Sequence, residues 1–297
     1  MSPSLLLPAL SLTIQTSFVA NANQQTDVLP KGVKALMDNG LVTIPGRYIK
    51  PPSHRAVKHL IIPGVEIPVI DMAALESDRE KFVQTLCKAS SEWGIFQVIN
   101  HGIPVATMQG MEARFQLCFK CEPSEPLMSA LSEGLGLDSN RLVKSFGDSE
   151  MILRSNYYLP CPNPDLALGM NGHTDSGGLT ILFEDQVGGL QARKGDLWYD
   201  LKPIKNAFIV NIADQLEILS NGKYKSIEHR VLVQPDQTRL SIVAFCNPSR
   251  DAVIGPLPEL IDEQNPPLYK STLYQEHITN VYTKYLDGKH SQKLQIK

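Results

Sequence analysis

Residues 172–194 read GHTDSGGLTILFEDQVGGLQARK. Two short apolar runs, Leu179–Phe183 and Leu190–Ala192, flank a turn that ends in Gly188-Gly189. Runs of this length, bounded by turn residues, indicate strands rather than helices. The same rhythm continues outward from this stretch. Upstream lies Ile152–Tyr158, and downstream lie Ala207–Ile212, Arg230–Val233 and Arg239–Phe245, punctuated by Pro, Gly and Asn. Many short strands with turn signals between them predict a sandwich or barrel. Asp214–Ser220 predicts one helical insert, closed by Asn221-Gly222.

The N-terminal third has a different rhythm. Pro30 to Leu41 predicts a helix ending near Asn39-Gly40, and Pro45, Pro51 and Pro52 then force extended chain. Ile67–Asp71 reads as a strand. Ser77 and Glu80 have the spacing of a capping box, ahead of Phe82, Val83, Leu86 and Ala89 on one helical face. Trp93–Asn100 returns to strand composition and ends in a turn at Asn100-His101-Gly102, where His101 is expected to be structural. At the other end, Tyr274, Ile278, Val281 and Tyr285 recur at helical spacing after a second possible box at Thr272 and Gln275. The expected division is an arm over 1–50, an N-terminal region over 51–131, a β core over 145–250 and a C-terminal helix and tail over 251–297.

Composition narrows the class. The 297 residues carry 28 Lys and Arg against 31 acids, a net charge of -3, which excludes an obvious nucleic-acid or anionic-membrane binder. Cys87, Cys118, Cys121, Cys161 and Cys246 are an odd, scattered set, so a reducing compartment is expected, and the cytoplasm with it. The lone Cys118/Cys121 pair lacks the second half of a zinc site. Leu5–Ile14 is apolar and Ala20-Asn21-Ala22 has the form of a cleavage site, but no Lys or Arg precedes Lys31 and Pro8 interrupts the run. No run reaches the length of a membrane span.

The chemistry sits in His173-Thr174-Asp175. On extended chain, positions i and i+2 share a face, so an imidazole and a carboxylate can reach one ion. His229 follows at the mouth of a strand, and Arg239-Leu240-Ser241 comes ten residues later. Two histidines and one carboxylate on a β framework form the facial triad of a non-haem Fe(II) oxygenase. Two neutral imidazoles and one carboxylate leave net charge +1 and three open positions, enough for a chelating 2-oxo acid and O2. Arg239 can then fork the far carboxylate of that acid, with Ser241 adding a hydrogen bond. Tyr158 and Asn156, on the preceding strand, are placed to complete the pocket. His54, His59, His277 and His290 have no partner at ligand spacing and are expected in solvent, as are Lys223 and Lys225 beside Tyr224.

The sequence resembles the plant 2-oxoglutarate- and Fe(II)-dependent dioxygenases that modify flavonoids and hormones. WGIFQVINHG (93–102), NYYLPCPNPDLALG (156–169), GHTDSGGLTIL (172–182) and VGGLQARK (187–194) carry the resemblance. NAFIVNIADQLEILSNGKYKSIEHRV (206–231) and RLSIVAFCNP (239–248) extend it, so that it covers roughly 32–111 and 145–287. It implies a mainly β fold, a double-stranded β-helix or jelly roll wrapped by helices. It implies His173, Asp175 and His229 as iron ligands, and Arg239, Ser241, Tyr158 and Asn156 at the 2-oxoglutarate tail. Phe245 is implied as an aromatic wall against substrate. O2 and, as reductant, ascorbate complete the cofactor set. The partner implied is a small molecule, with no nucleic acid or membrane, and a monomer is expected.

The resemblance breaks between Phe115 and Leu137, where relatives carry several dozen more residues. A splice variant or mis-joined gene would explain this, as would a natural compact form. Leu127–Ser132 reads as the stump of a long helix, and losing the rest would expose apolar sheet surface and remove one pocket wall. Ala213 stands where relatives usually have glycine, a neutral change unless φ is positive there. The expected substrate is flavonoid or phenolic, hydroxylated or desaturated. A jasmonate-type acid is the alternative and would want a cation besides Arg239. An impaired isoform that still binds metal, and an oxidase of the 1-aminocyclopropane-1-carboxylate type, share the same residues.

Overall fold

The apolar runs pair into two packed sheets. The computed structural model describes residues 32–56, 61–104, 108, 124–284 and 294–296. A six-stranded sheet runs in the order β2 (Val69–Asp71), β3 (Ile95–Ile99), β9 (Phe208–Ile212), β6 (Leu179–Glu184), β11 (Arg239–Asn247), β4 (Glu150–Tyr158). A five-stranded sheet runs β1 (Ile61–Val65), β8 (Leu197–Leu201), β7 (Leu190–Lys194), β10 (His229–Val231), β5 (Met170–His173). Pairing is antiparallel except for β1 with β8 and β2 with β3. This is the expected jelly-roll-like, mainly β architecture with flanking helices. A short ladder of β12 (Val253–Ile254) and β13 (Thr272–Leu273) lies outside it.

The larger sheet is buried on both faces, and its alternation separates packing from chemistry. Leu179, Ile181, Phe208, Val210, Ile212, Ile242 and Ala244 point outward into the main apolar core beneath the helices. Their neighbours one residue along, including Thr180, Asn211, Ser241 and Val243, point inward between the sheets. Side chains one apart on a strand face opposite ways, so one short run serves a helix on one side and a cleft on the other.

Among the described residues, four helices of six or more residues lie in the first half of the chain. They are α1 (Val33–Asp38), α2 (Arg79–Glu92), α3 (Ser124–Gly134) and α4 (Arg141–Phe146). Two more, α5 (Asp214–Leu219) and α6 (Tyr274–Lys284), follow later in the chain. Phe82, Leu86 and Ala89 of α2 are buried as the spacing predicts. Its cap differs from the expectation: Asp78, not Ser77, accepts the backbone N–H of Lys81. Ser77 instead ends a preceding single turn, and its hydroxyl donates to Ala73 O. The second expected box also fails, because Thr272 is a strand residue paired with Ile254 and α6 starts at Tyr274.

The interval around α3 corrects a larger expectation. Leu127, Ala130 and Leu131 are fully buried in the main core, so α3, described over eleven residues, covers apolar surface that was expected to be bare. Tyr224 is likewise core, its hydroxyl donating to Leu131 O at 2.8 Å, while Lys223 and Lys225 on either side are exposed. His277 is buried too, with Nε2 3.9 Å from Asp214 Oδ2, so the expectation that it is solvated is wrong. One helical turn after Tyr274, it faces the core with that residue. Ala213 has φ -114°, which any residue adopts, so its methyl group is neutral as argued. His101 is structural as expected: Nε2 meets Asn206 O at 2.9 Å and Nδ1 accepts the backbone N–H of Ile103. The Leu5–Ile14 run, Ala20-Asn21-Ala22, Cys118, Cys121, the 116–123 stretch, His59 and His290 lie outside the described residues.

Candidate metal centre and active site

His173 ends β5 and His229 begins β10, and the two pair directly across the sheet with ring centroids 4.5 Å apart. Asp175 lies two residues beyond β5. Its Oδ1 is 3.6 Å from His173 Nε2 and 3.7 Å from His229 Nε2. One ligand atom from each residue falls within 4.8 Å of the others. Among the described residues this is the one such cluster of His, Cys or carboxylate groups.

The donor set fits a divalent iron. His173 Nδ1 faces Asn171 O at 2.8 Å and His229 Nδ1 faces Ile227 O at 3.2 Å. A carbonyl oxygen only accepts, so each Nδ1 carries the proton and each Nε2 keeps a lone pair toward the centre. Asp175 Oδ2 accepts from Thr180 Oγ1 at 2.6 Å and Asn211 Nδ2 at 3.0 Å, which leaves Oδ1 for a metal. Two imidazoles and a carboxylate on one side are the ligand set of mononuclear Fe(II) oxygenases. Burial opposes ionisation of Asp175, but the neighbouring imidazoles and the Thr180 hydrogen bond overcome it and hold the carboxyl well below its ordinary range. Burial also works against charge on both rings; it wins at His229, which is pushed down, and the Asp175 contacts win at His173, which is pushed up.

The turn carrying Asp175 is clamped by the start of α5. Asp214 N donates to Asp175 O, Gln215 N to Gly177 O and Ala213 N to Gly178 O, at 2.8–2.9 Å. Only glycine fits at 178, since a Cβ there would lie 2.1 Å from the Phe146 ring. Thr180→Val removes one hydrogen bond from Asp175 without disturbing this clamp. We expect Fe(II) affinity to fall about tenfold, in the range found when groups that orient metal ligands are lost. Anaerobic Fe(II) titration measures it, and wild-type affinity would count against an orienting role for Thr180.

The triad opens into a cleft of about 530 Å³, its mouth included, between the sheets. Of the other residues expected in the site, Asn156, Tyr158, Ser241 and Phe245 line it, among apolar Met170, Leu182, Val231 and Val243. Asn156 Nδ2 donates weakly to Ser241 Oγ at 3.4 Å. Arg239 lies just behind this lining, and here the structure corrects the expectation of a free fork. Nε donates to Glu184 Oε2 at 3.2 Å, Nη2 donates to the same oxygen, and Nη1 donates to Ser241 Oγ at 3.2 Å. The sequence reading missed Glu184, Thr180, Asn211 and Arg154. Arg154 lines the cleft two positions before Asn156, with its guanidinium 5.7 Å from the Phe245 ring centre. The i, i+2 rule that paired Asn156 with Tyr158 extends to it.

Comparison with known proteins agrees with this geometry. Residues 149–248 match the 2OG-Fe(II) oxygenase superfamily, and 67–148 match the N-terminal region described as non-haem dioxygenase in morphine synthesis. Jasmonate-induced oxygenase 1 of Arabidopsis thaliana is 34% identical, over 86% of this chain and 84% of its own. Flavonol synthase/flavanone 3-hydroxylase of Petunia hybrida is 33% identical, over 80% of this chain and 89% of its own. A crystal structure of JOX2 in complex with 2OG, Fe and JA superposes with TM-score 0.78 at 32% identity, covering 89% of this chain and 97% of that one. The chain therefore belongs to the 2OG-Fe(II) oxygenase superfamily and is a 2-oxoglutarate-dependent dioxygenase. The Arabidopsis alignment runs over 335 positions, more than the 297 residues here, so that relative carries residues this chain lacks. No helix among the described residues is long and apolar enough to cross a membrane.

Proposed function

We propose that His173, Asp175 and His229 hold Fe(II), that Arg239, Ser241, Tyr158 and Asn156 receive the tail of 2-oxoglutarate, and that Phe245 flanks a phenolic or flavonoid substrate. The observation that carries this reading is the His-Asp-His cluster in the lining of a cleft that Phe245, paired across the sheet with Thr180, also lines. When bound, iron with 2-oxoglutarate and O2 supplies oxidative decarboxylation coupled to C–H oxidation. The chain's own part is positional. Two backbone carbonyls fix the imidazole tautomers, Thr180 and Asn211 aim the Asp175 carboxylate, and Met170, Leu182, Val231 and Val243 exclude water around the substrate. Ascorbate is the proposed reductant. A reducing, cytoplasmic setting is supported by free Cys87, Cys161 and Cys246.

Arg154 favours a second reading, a jasmonate-type acid. Its guanidinium lines the cleft beside Phe245, where a substrate carboxylate would find the cation that such a ligand needs. Succinate release across a panel of flavanones, phenolic acids and jasmonic acid separates the two. We expect flavanone-driven turnover to survive Arg154→Gln within about threefold and turnover of any acid substrate to fall at least about tenfold, the loss of one charge-assisted pair. Turnover of jasmonic acid alone would replace the phenolic reading with the second.

A further inference from the structure

The buried partner of Arg239 is a carboxylate that no step above uses. Glu184 and Arg239 face each other with side chains only 3% and 2% exposed. The sheet register explains the meeting. Ser241 of β11 is directly opposite Glu184 of β6 on one side and Asn156 of β4 on the other. Arg239, two positions before Ser241, shares its inward face and lies opposite Tyr158, with the guanidinium 5.3 Å from that ring centre.

A guanidinium has five N–H donors on two usable edges. Glu184 takes the side edge, formed by Nε and Nη2. Ser241 takes one donor of Nη1. One N–H on Nη1 and one on Nη2 are left by these bonds, and the Tyr158 hydroxyl is a further hydrogen-bond partner of the guanidinium. The second Glu184 oxygen, Oε1, is buried with no hydrogen-bond partner. A buried ion pair left partly unsatisfied adds little to stability, so stability alone is a weak reason for a carboxylate here.

We propose that Glu184 is a positioning residue for the co-substrate: it braces the side edge of Arg239 and offsets its charge, so that a net-neutral pair receives the far carboxylate of 2-oxoglutarate. This rests on the assignment of Arg239 to that carboxylate. Its consequence is weaker discrimination between 2-oxoglutarate and a 2-oxo acid without a tail carboxylate than a free arginine would give.

The test uses the full chain loaded with Mn(II), which does not turn over, and calorimetric titration with 2-oxoglutarate and with 2-oxobutyrate. Glu184→Gln keeps an acceptor for the Arg239 side edge and removes the charge. We expect it to bind 2-oxoglutarate about tenfold more tightly, as removal of a nearby like charge in a buried site predicts, with 2-oxobutyrate affinity unchanged. An unchanged or weaker preference for 2-oxoglutarate overturns the proposal. If neither 2-oxo acid binds the wild-type protein, the co-substrate assignment itself fails and takes the proposal with it. Glu184→Asp covers the case in which the glutamine variant does not fold. It keeps the charge but shortens the brace, so 2-oxoglutarate binding should weaken several-fold and 2-oxobutyrate binding should not. Equal loss for both acids, or none, overturns it.

Discussion

Asp175→Ala is expected to lower 2-oxoglutarate turnover by at least about a thousandfold, a loss of about 4 kcal/mol of transition-state stabilisation. The carboxylate is the only anionic member of the triad, and 6% of it is exposed. Without it, two neutral imidazoles remain, while Thr180 Oγ1 loses its acceptor and Asn211 Nδ2 keeps only a weak bond to Ile212 O at 3.5 Å. Neither change threatens the turn, which is held by backbone hydrogen bonds from residues 213–215 to 175, 177 and 178. The melting temperature should therefore stay within a few degrees of wild type while iron binding and succinate release are lost together. Asp175→Asn separates charge from shape, because it preserves the side-chain volume and should be nearly as inactive. A folded Asp175→Ala protein that kept a tenth of wild-type succinate release would rule out this residue as a ligand.

The His173/Asp175 half of the triad was legible in the sequence because its geometry is local, and His229, 54 residues after Asp175, because it completes a known ligand set. His173 and Asp175 are two residues apart, and His229 opens a strand whose composition is plain. The large sheet was legible for a related reason. Strands buried on both faces are continuous apolar runs, and β6, β9 and β11 fall within or close to the bounds the runs predict. The smaller sheet was harder to see. Met170–His173 and Leu197–Leu201 mix Asn, Gly, His and Asp with apolar residues, so β5 and β8 carry no period of their own. They are strands because of their neighbours, β10 for one and β7 with β1 for the other.

The Glu184–Arg239 pair was invisible for the same reason. It joins positions 55 residues apart, and only the register that puts Ser241 opposite Glu184 brings them together. His277 shows the limit in another form. Ligand spacing was the wrong criterion for it, since helical periodicity from Tyr274 already placed it on a buried face.

Leu131→Ala is expected to cost about 3 kcal/mol, within the range for removing a fully buried leucine side chain from a core. For a domain of this size, that lowers the melting temperature by roughly 6–12 °C. The argument turns on what α3 covers. Leu127, Ala130 and Leu131 are fully buried and belong to the same core as Phe82 and Leu86 of α2 and the outward residues of the large sheet. The Leu131 carbonyl also accepts the Tyr224 hydroxyl, and Ser132 Oγ accepts the Leu142 backbone N–H. One helix face therefore joins α2, α4 and the segment after α5. Its solvent side carries less: Glu133 pairs with Arg79 at 2.6 Å in an exposed ion pair, and Glu133→Ala should cost under about 1 kcal/mol. The proposed iron site lies on the opposite face of the sheet, so Leu131→Ala should leave Fe(II) affinity near wild type at temperatures where the protein is folded. A variant melting within about 2 °C of wild type would show that α3 does not cover the core. Intact stability with lost iron binding would show that it reaches the site by a route this packing does not contain.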